Sequence, residues 1–584
     1  YPTHPTLVLA SLAHTMPELP THNPKHPQPT PARLARRRWR LIPRRPRRIL
    51  LLLLLTLCTT YTTARLSYLH KDRISAEVSW YSYTFSPAHR VPPYVPPSPV
   101  SQEHVHVPRT PVTPGMRDPL GYRSETPHAV HGSQSPAILQ PLHHSAEHPL
   151  LPDDLRGIRR ALLGGAAGRR AAKESGWWRE FRTPENTILR DKWYRFGGAP
   201  LWLPQEGCYI VFTRVSYSRV GRRNRPHLSV IRGQAFDAEW NELHGKHVAY
   251  GDARAGSQGP DSGVTYPAFF EVPFDVESDW NGPEDPHVVA VAGEPVLVFN
   301  MFSQSHGRGM YLLRPHRQLQ PLTRLQLPST LLPRTLEKNW TPLHHPIDDG
   351  PGTLRFVYSF APLRVLRCGI DSGACALVFA GSASPTDARA EDVRGGTQFV
   401  QLPSRGSESD HRERLWVAFP KLHTVVCGCG GQYYRPMLTV MQETPDGSYA
   451  LRFLVPTLTF GIDVLAWDLQ GSHCDMINVL SPNSIAQWTV EGDDDEDYLT
   501  LAVSEADVQT RIVVLRGLRK YITAVLHSGS TDSSPTDSGS TDSSPTDSGS
   551  TDSSPTDSSP GMFEAALDDA ELQCAAYGHM HGAA

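Results

Sequence analysis

The stretch "DWNGPEDPHVVAVAGEPVLVFNMF", Asp279–Phe302, sets two adjacent carboxylates, Glu284 and Asp285, on a proline-flanked turn that runs into two strongly apolar strand-length segments. Paired acids on a turn are usually solvated turn formers. Here the apolar strands on either side put the pair at the end of a sheet, where sites form. The same texture extends outward from about residue 177 to about residue 526. Short runs such as "CYIVFTRVSY", "GMYLLRP", "LRFVYSF", "CALVFAG", "WVAFPKLHTVVCGCG", "PMLTVMQE" and "YLTLAVSEADVQTRIVVLRG" alternate with Gly, Pro, Asp and Asn clusters. Runs of strand length, rich in β-branched and aromatic residues and punctuated by turn signals, predict a mainly antiparallel β domain. That many short strands fit a propeller or several packed sheets better than one sandwich. No clean internal repeat fixes a blade number.

The flanks read differently. The 584 residues include 54 prolines, and the net charge of −2 with dispersed basic residues excludes a nucleic-acid surface. Residues 1–48 form a basic tail that ends in "RLARRRWRLIPRRPRR", with nine arginines and no acid. It abuts "ILLLLLLTLCTTYTTA", which with the residues up to 69 predicts a transmembrane signal anchor. The arginines would stay cytosolic and the remainder would enter the secretory lumen. A cleaved signal peptide is the competing reading, but the region ahead of the apolar run is long for one. Either way the cysteines beyond Cys58 meet an oxidising compartment. Residues 70–175, rich in Pro and His, predict a disordered stem, with "LRGIRRALLGGAAGRRAAK" as a short helix. The domain at 176–527 is followed by a linker at 528–560, in which "SGSTDSSPTD" occurs three times. A tail at 561–584 offers at most one weak helix and is assigned no function.

Several clusters inside the domain carry candidate chemistry. Asn300 ends the second strand of the hairpin after Glu284 and Asp285. "LEKNWTPL" sets Glu337, Lys338, Asn339 and Trp340 before the next strand run, an acid, a base, an amide and an indole of the kind that hold a sugar. The bland alternative is a polar turn with a core tryptophan. Arg435 in "YYRP" could meet a phosphate with its planar fork, against an ordinary strand-end arginine. Asp463 and Asp468 lie near Trp467, Gln470 and Asn483. "EGDDDEDYL" holds a D-x-D at Asp493 and Asp495 that could ligate a divalent ion, although a run of acids is more often a solvated loop. No residue is assigned to a metal and no cofactor is certain. Cys427 and Cys429 have no second half for a metal site, so disulfides are expected, and Cys368 and Cys375 bracket a loop that a bridge could close.

The blocks "EDPHVVAVAGEPVLVFN", "RGMYLLRP", "EKNWTPL", "FVYSFAPLRVLRC", "VRGGTQFV", "WVAFPKLHTVVCGCG", "YYRPML", "FGIDVLAWDLQG", "NVLSPNSIAQW" and "VSEAD", in this order, resemble the fungal β-1,2-mannosyltransferase family of type II Golgi membrane enzymes. Ala466, where glycine is expected, and the insert "SASPTDARAED" depart from the family pattern. The resemblance implies a GDP-mannose donor, a mannan or related mannoside acceptor, and inversion in cell-wall glycan synthesis. One carboxylate then takes the acceptor proton. Asp285 is the first choice for it, with Glu284, Glu337 and Asp463 as rivals. Lys338 and Arg435 would neutralise the diphosphate, while Asn300, Asn339, Trp340 and Asp468 would seat sugar. The EDP and EKNW blocks are also similar to those of five-bladed β-propeller enzymes that cleave β-mannosides, so the fold expected is a five-bladed β-propeller. A hydrolase or phosphorylase on that scaffold, or a non-catalytic glycan-binding propeller, are the alternatives.

Overall fold

The computed structural model describes residues 121–582 apart from 132–140, 152–153, 165–184, 224, 251–262, 271, 273–278, 317–321, 383–391, 404–412, 468–472, 492–495 and 529–560. The predicted anchor, the repeat linker, Asp468, Asp493 and Asp495 lie outside the described residues. Among the described residues no helix is long and apolar enough to cross a membrane.

The chain is mainly β, as its texture predicts. Four antiparallel sheets have four strands each, with neighbours in chain order except where a separate hairpin intervenes. The first begins with Trp193–Leu203 and Cys208–Tyr217, the second with Glu284–Val291 and Glu294–Ser303. The third begins with Thr341–Leu343 and Thr353–Phe360, the fourth with Val400–Gln401 and Arg414–Ala418. This meander is propeller-like.

Side-chain alternation explains why the sheets stack. In Glu294–Ser303, Leu297, Phe299 and Met301 pack with Ile210 and Phe212 of the first sheet. Val296 and Val298, on the opposite face, pack with Trp340, Phe356 and Leu366 of the third. The third meets the fourth through Val357, Trp416 and Met441. The fourth meets an eight-stranded sheet through Val440, Leu480 and Leu501. That sheet returns to the first through Ala486, Ile512, Tyr209 and Val211. Polar bonds reinforce the closure: Ser484 Oγ donates to the Pro200 carbonyl at 3.1 Å and the Gly198 amide to Thr510 Oγ1 at 3.1 Å.

Five like blades are therefore not what forms. Among the described residues four sheets are blades of four strands, one sheet has eight, and the hairpin Lys246–Ala249 with Gly263–Tyr266 forms a separate two-stranded sheet. The cause is Ile477–Glu491, whose fifteen residues outreach one blade. Its first residues pair in parallel with Gln432–Pro436, and from Leu480 onward it pairs antiparallel with Glu496–Glu505, fusing two strand groups.

Part of the segment read as stem is also folded. Tyr122–Glu125 and Leu142–Ser145 extend the eight-stranded sheet. The helix Leu155–Gly164 buries Ile158 and Leu162 against Trp193 and Tyr217. Leu142, Leu151, Ile158 and Leu162 are widely spaced apolar residues that show no local period, so composition hid them. The tail, too, is ordered: the helix Met562–Met580 buries Phe563, Leu567 and Cys574 against the third, fourth and eight-stranded sheets. Cys427–Cys574 ties it down, Cys429–Cys474 lies beside it, and Cys368–Cys375 closes the expected loop.

Candidate functional site

Asp285 stands at the start of the second sheet's first strand. Register shifts there between Val298 and Asn300, so the strand end is bulged and the carboxylate re-aimed, with φ 52° at Asp285. Aspartate and asparagine tolerate this left-handed conformation better than most residues. Gly282 lets the turn close on its neighbour, since a Cβ there would stand 2.1 Å from the Ser229 carbonyl oxygen.

Basic side chains hold both acids of the turn. Arg214 reaches Glu284 at 3.2 Å and Asp285 at 3.4 Å, and Arg308 reaches Glu284 at 2.7 Å. Arg308 also donates to Asn300 Oδ1, while the Asn300 amide donates to the Glu284 carbonyl at 3.2 Å and to Asp285 at 3.5 Å. Glu284 is thus consumed as a buried clamp on two guanidiniums. Asp285 is crowded yet reachable, with 37% of its side chain exposed.

Other elements converge on the same point. Burial alone would push the Asp285 carboxyl up, but Lys421, Arg214 and Lys338 hold it well below the ordinary carboxylate range. Lys338 is lowered to about 8, first by burial and then by Arg308 and Arg394, against the pull of Asp285. Asp507, in the turn between Glu496–Glu505 and Gln509–Arg516, moves the other way. Burial and then the charge of Asp285 push it up, against Lys421 and a 3.2 Å bond from the Trp467 indole N–H. His287, lowered to about 4 by burial and then by Lys421, donates to the Asn483 carbonyl at 3.1 Å if its Nδ1 carries the proton. His423, lowered to about 3 by burial and then by Arg394, stacks on Tyr434 with ring centroids 4.3 Å apart. Among the described residues, Arg214 and Arg308 reach Glu284, Lys421, Arg214 and Lys338 act on Asp285, and Lys421 and Arg223 act on Asp507, so that five cations face three acids, with Arg394 beside Lys338. A surplus of fixed positive charge around reachable carboxylates suits an anionic ligand.

The structure brings Asp285, Glu284, Asn300 and Lys338 together and sends the other candidates elsewhere. Glu337 accepts from the Arg334 amide at 2.6 Å, the Trp340 indole at 3.0 Å and the Tyr358 hydroxyl at 3.1 Å, which locks its loop and leaves it no catalytic freedom. Trp340 is 1% exposed and packs edge-on against Phe356 and Tyr358, so it offers no face to a sugar. Trp340→Ala is expected to cost about 3–5 kcal/mol of stability, read as a lower Tm, with donor KM unchanged at a temperature where the variant stays folded. Asn339, beside Lys338, has φ 62°, and a Cβ on Gly395 would meet its carbonyl oxygen at 2.3 Å, so the loops carrying Lys338 and Arg394 lie together.

Arg435 and Tyr433 share one face of Gln432–Pro436, and Tyr434 takes the other. Arg435 is buried, bonded to Gln573 of the C-terminal helix and to the Leu458 carbonyl at 2.8 Å, so it anchors that helix. Asp463 is exposed and lies with His473 and His581. Arg214, Arg308, Arg394, Lys421, Tyr434 and Asp507 were not singled out from sequence. The signal for Asp507 was the VSEAD block, whose last acid stands at a hairpin turn.

The sequence pattern described as beta-mannosyltransferases matches residues 180–309 and 318–558, more than half of the chain. The chain belongs to the beta-mannosyltransferase family. It is 33% identical over 369 residues to beta-mannosyltransferase 1 of Komagataella phaffii, covering 60% of this chain and 55% of that one. It is 32% identical over 402 residues to beta-mannosyltransferase 4 of the same yeast, covering 68% and 76%. To beta-mannosyltransferase 3 of Candida albicans it is 32% identical over 361 residues, covering 59% and 61%. The chain thus spans little more than half the length of some curated relatives. A thermostable family-43 glycoside hydrolase shares 12% identity at a TM-score of 0.27, covering 55% of this chain and 89% of that one, a likeness too distant to decide anything.

Proposed function

We propose that this family member is an inverting β-mannosyltransferase that moves mannose from GDP-mannose to a mannoside acceptor. The supporting observation is the cluster of five cations, Arg214, Arg223, Arg308, Lys338 and Lys421, that act on Glu284, Asp285 and Asp507. An α-linked donor and a β-linked product require one in-line displacement. The acceptor oxygen forms its bond to the anomeric carbon as the bond to the diphosphate breaks, the electron pair leaving with GDP. Lys421, Lys338 and the arginines take up that departing charge. The acceptor proton goes to Asp507. Of the two facing carboxylates it has the raised proton affinity, whereas Asp285 is kept ionised by its cations and steadies the oxocarbenium-like centre. This moves the proton from Asp285, the first choice from sequence, to its neighbour.

A luminal, membrane-anchored setting of type II is part of the proposal. Its support is the basic block and apolar run at 33–69 and the three disulfides, which form in oxidising compartments.

The test is incubation of the full chain with GDP-mannose and a mannooligosaccharide, followed by mass spectrometry and linkage analysis. The proposal expects the acceptor to lengthen by one β-1,2-linked hexose with release of GDP. Shortening of the oligosaccharide without nucleotide would instead make the protein a hydrolase or phosphorylase.

Lys338 sets an alkaline prediction. Its ammonium is charged below about 8 and neutral above, so kcat/KM for the donor should fall as pH rises through that value. Lys338→Arg should remove this limb, because a guanidinium keeps its charge.

A further inference from the structure

Away from the Asp285 cluster, Asp463, His473 and His581 bring one carboxylate oxygen and two imidazole nitrogens within 4.8 Å of one another. They come from separate parts of the chain. Asp463 and His473 lie on the segment between Tyr449–Val455 and Ile477–Glu491, and His581 caps the C-terminal helix Met562–Met580. We propose that these three residues bind one transition-metal ion of the zinc class, which pins the far end of the C-terminal helix to the body.

Two imidazoles and a carboxylate are the donor set that zinc and its neighbours prefer, with a fourth position left for water. One donor is left without a partner: His473 Nε2 is buried without a hydrogen bond and stands 3.8 Å from Asp463 Oδ2, too far for one. The His473 and His581 rings stack with centroids 3.9 Å apart, and Tyr577 flanks both. The 3.8 Å between His473 and Asp463, and the 4.8 Å within which all three ligand atoms lie, exceed the ~3.3 Å edge of a tetrahedron with ~2.0–2.1 Å bonds, so the ion would draw the three together. His581 is exposed in its cap position and can turn its ring edge inward. The surroundings are already fastened. Cys474, next to His473, is bridged to Cys429, and Cys574, two helical turns before His581 on the same face, is bridged to Cys427. The disulfide holds the middle of the helix and the ion would hold its end.

The experiment treats the full chain with chelator, dialyses it, and titrates it with Zn²⁺ alone, then with Co²⁺ as a spectroscopic probe. One equivalent of Zn²⁺ should bind and raise the Tm, and Co²⁺ should give visible ligand-field absorbance. His581→Ala, at an exposed position, and His473→Gln should each weaken binding by more than the ~10–100-fold that follows disturbance of an outer-shell partner, with loss of the Co²⁺ signal. Failure of the native chain to bind, or binding that persists unchanged in both variants, would overturn the proposal. Neither outcome depends on mannosyl transfer, so the two readings fail separately.

Discussion

Asp507→Asn is expected to lower kcat for mannosyl transfer by roughly 100- to 10,000-fold while leaving the Tm close to that of the native chain. The substitution is nearly isosteric, and asparagine tolerates the φ of 51° at this turn. Its side-chain oxygen can still accept the Trp467 N–H, now 3.2 Å from Oδ2. Only the proton acceptor is lost. In the native chain the base works when ionised, so activity should fall as pH drops through the raised value of Asp507. That acid limb should disappear in the variant. A profile that keeps its acid limb, at near-native kcat, would remove Asp507 from the chemistry.

Asp285→Asn should cost about 100- to 1,000-fold in kcat, the scale of removing one aligned electrostatic group from an active site. It should also displace the acid limb, and the sign follows from the coupling. The charge of Asp285 is one cause of the raised value of Asp507, so its removal lets Asp507 ionise more easily. The limb therefore moves to lower pH. If Asp285 itself took the proton, its substitution would abolish the limb, and Asp507→Asn would leave it in place. The two pH profiles, measured together on initial rates, assign the roles.

What could be read from sequence followed from what is local. The unbroken apolar run in "EPVLVFN" announces a strand, and the structure buries both of its faces, one against the first sheet and one against the third. Glu284, Asp285 and Asn300 were legible because one hairpin carries all three. Lys338 was legible because it sits beside a strand start. Trp340 misled because an indole amid acid and amide is equally the signature of a core residue bonded to a buried carboxylate, here Glu337. Arg435 misled because strand alternation turns it toward the C-terminal helix while Tyr434, its neighbour, faces Arg394, Asp507 and Asp285. The meeting of Lys421, Arg394 and Asp507 was invisible, even with Asp507 in the VSEAD block, because it depends on which sheets close on which, and on a strand long enough to fuse two groups.

A cation cluster built for a diphosphate should bind the nucleotide by itself. Calorimetric titration of GDP into the full chain, and into Lys421→Met and Lys338→Met, tests this most directly. One equivalent should bind to the native chain, and each variant should bind at least about tenfold more weakly, the equivalent of ~1.4 kcal/mol, with the loss shrinking at high salt. Equal affinity in all three chains, or no binding to any, would contradict it.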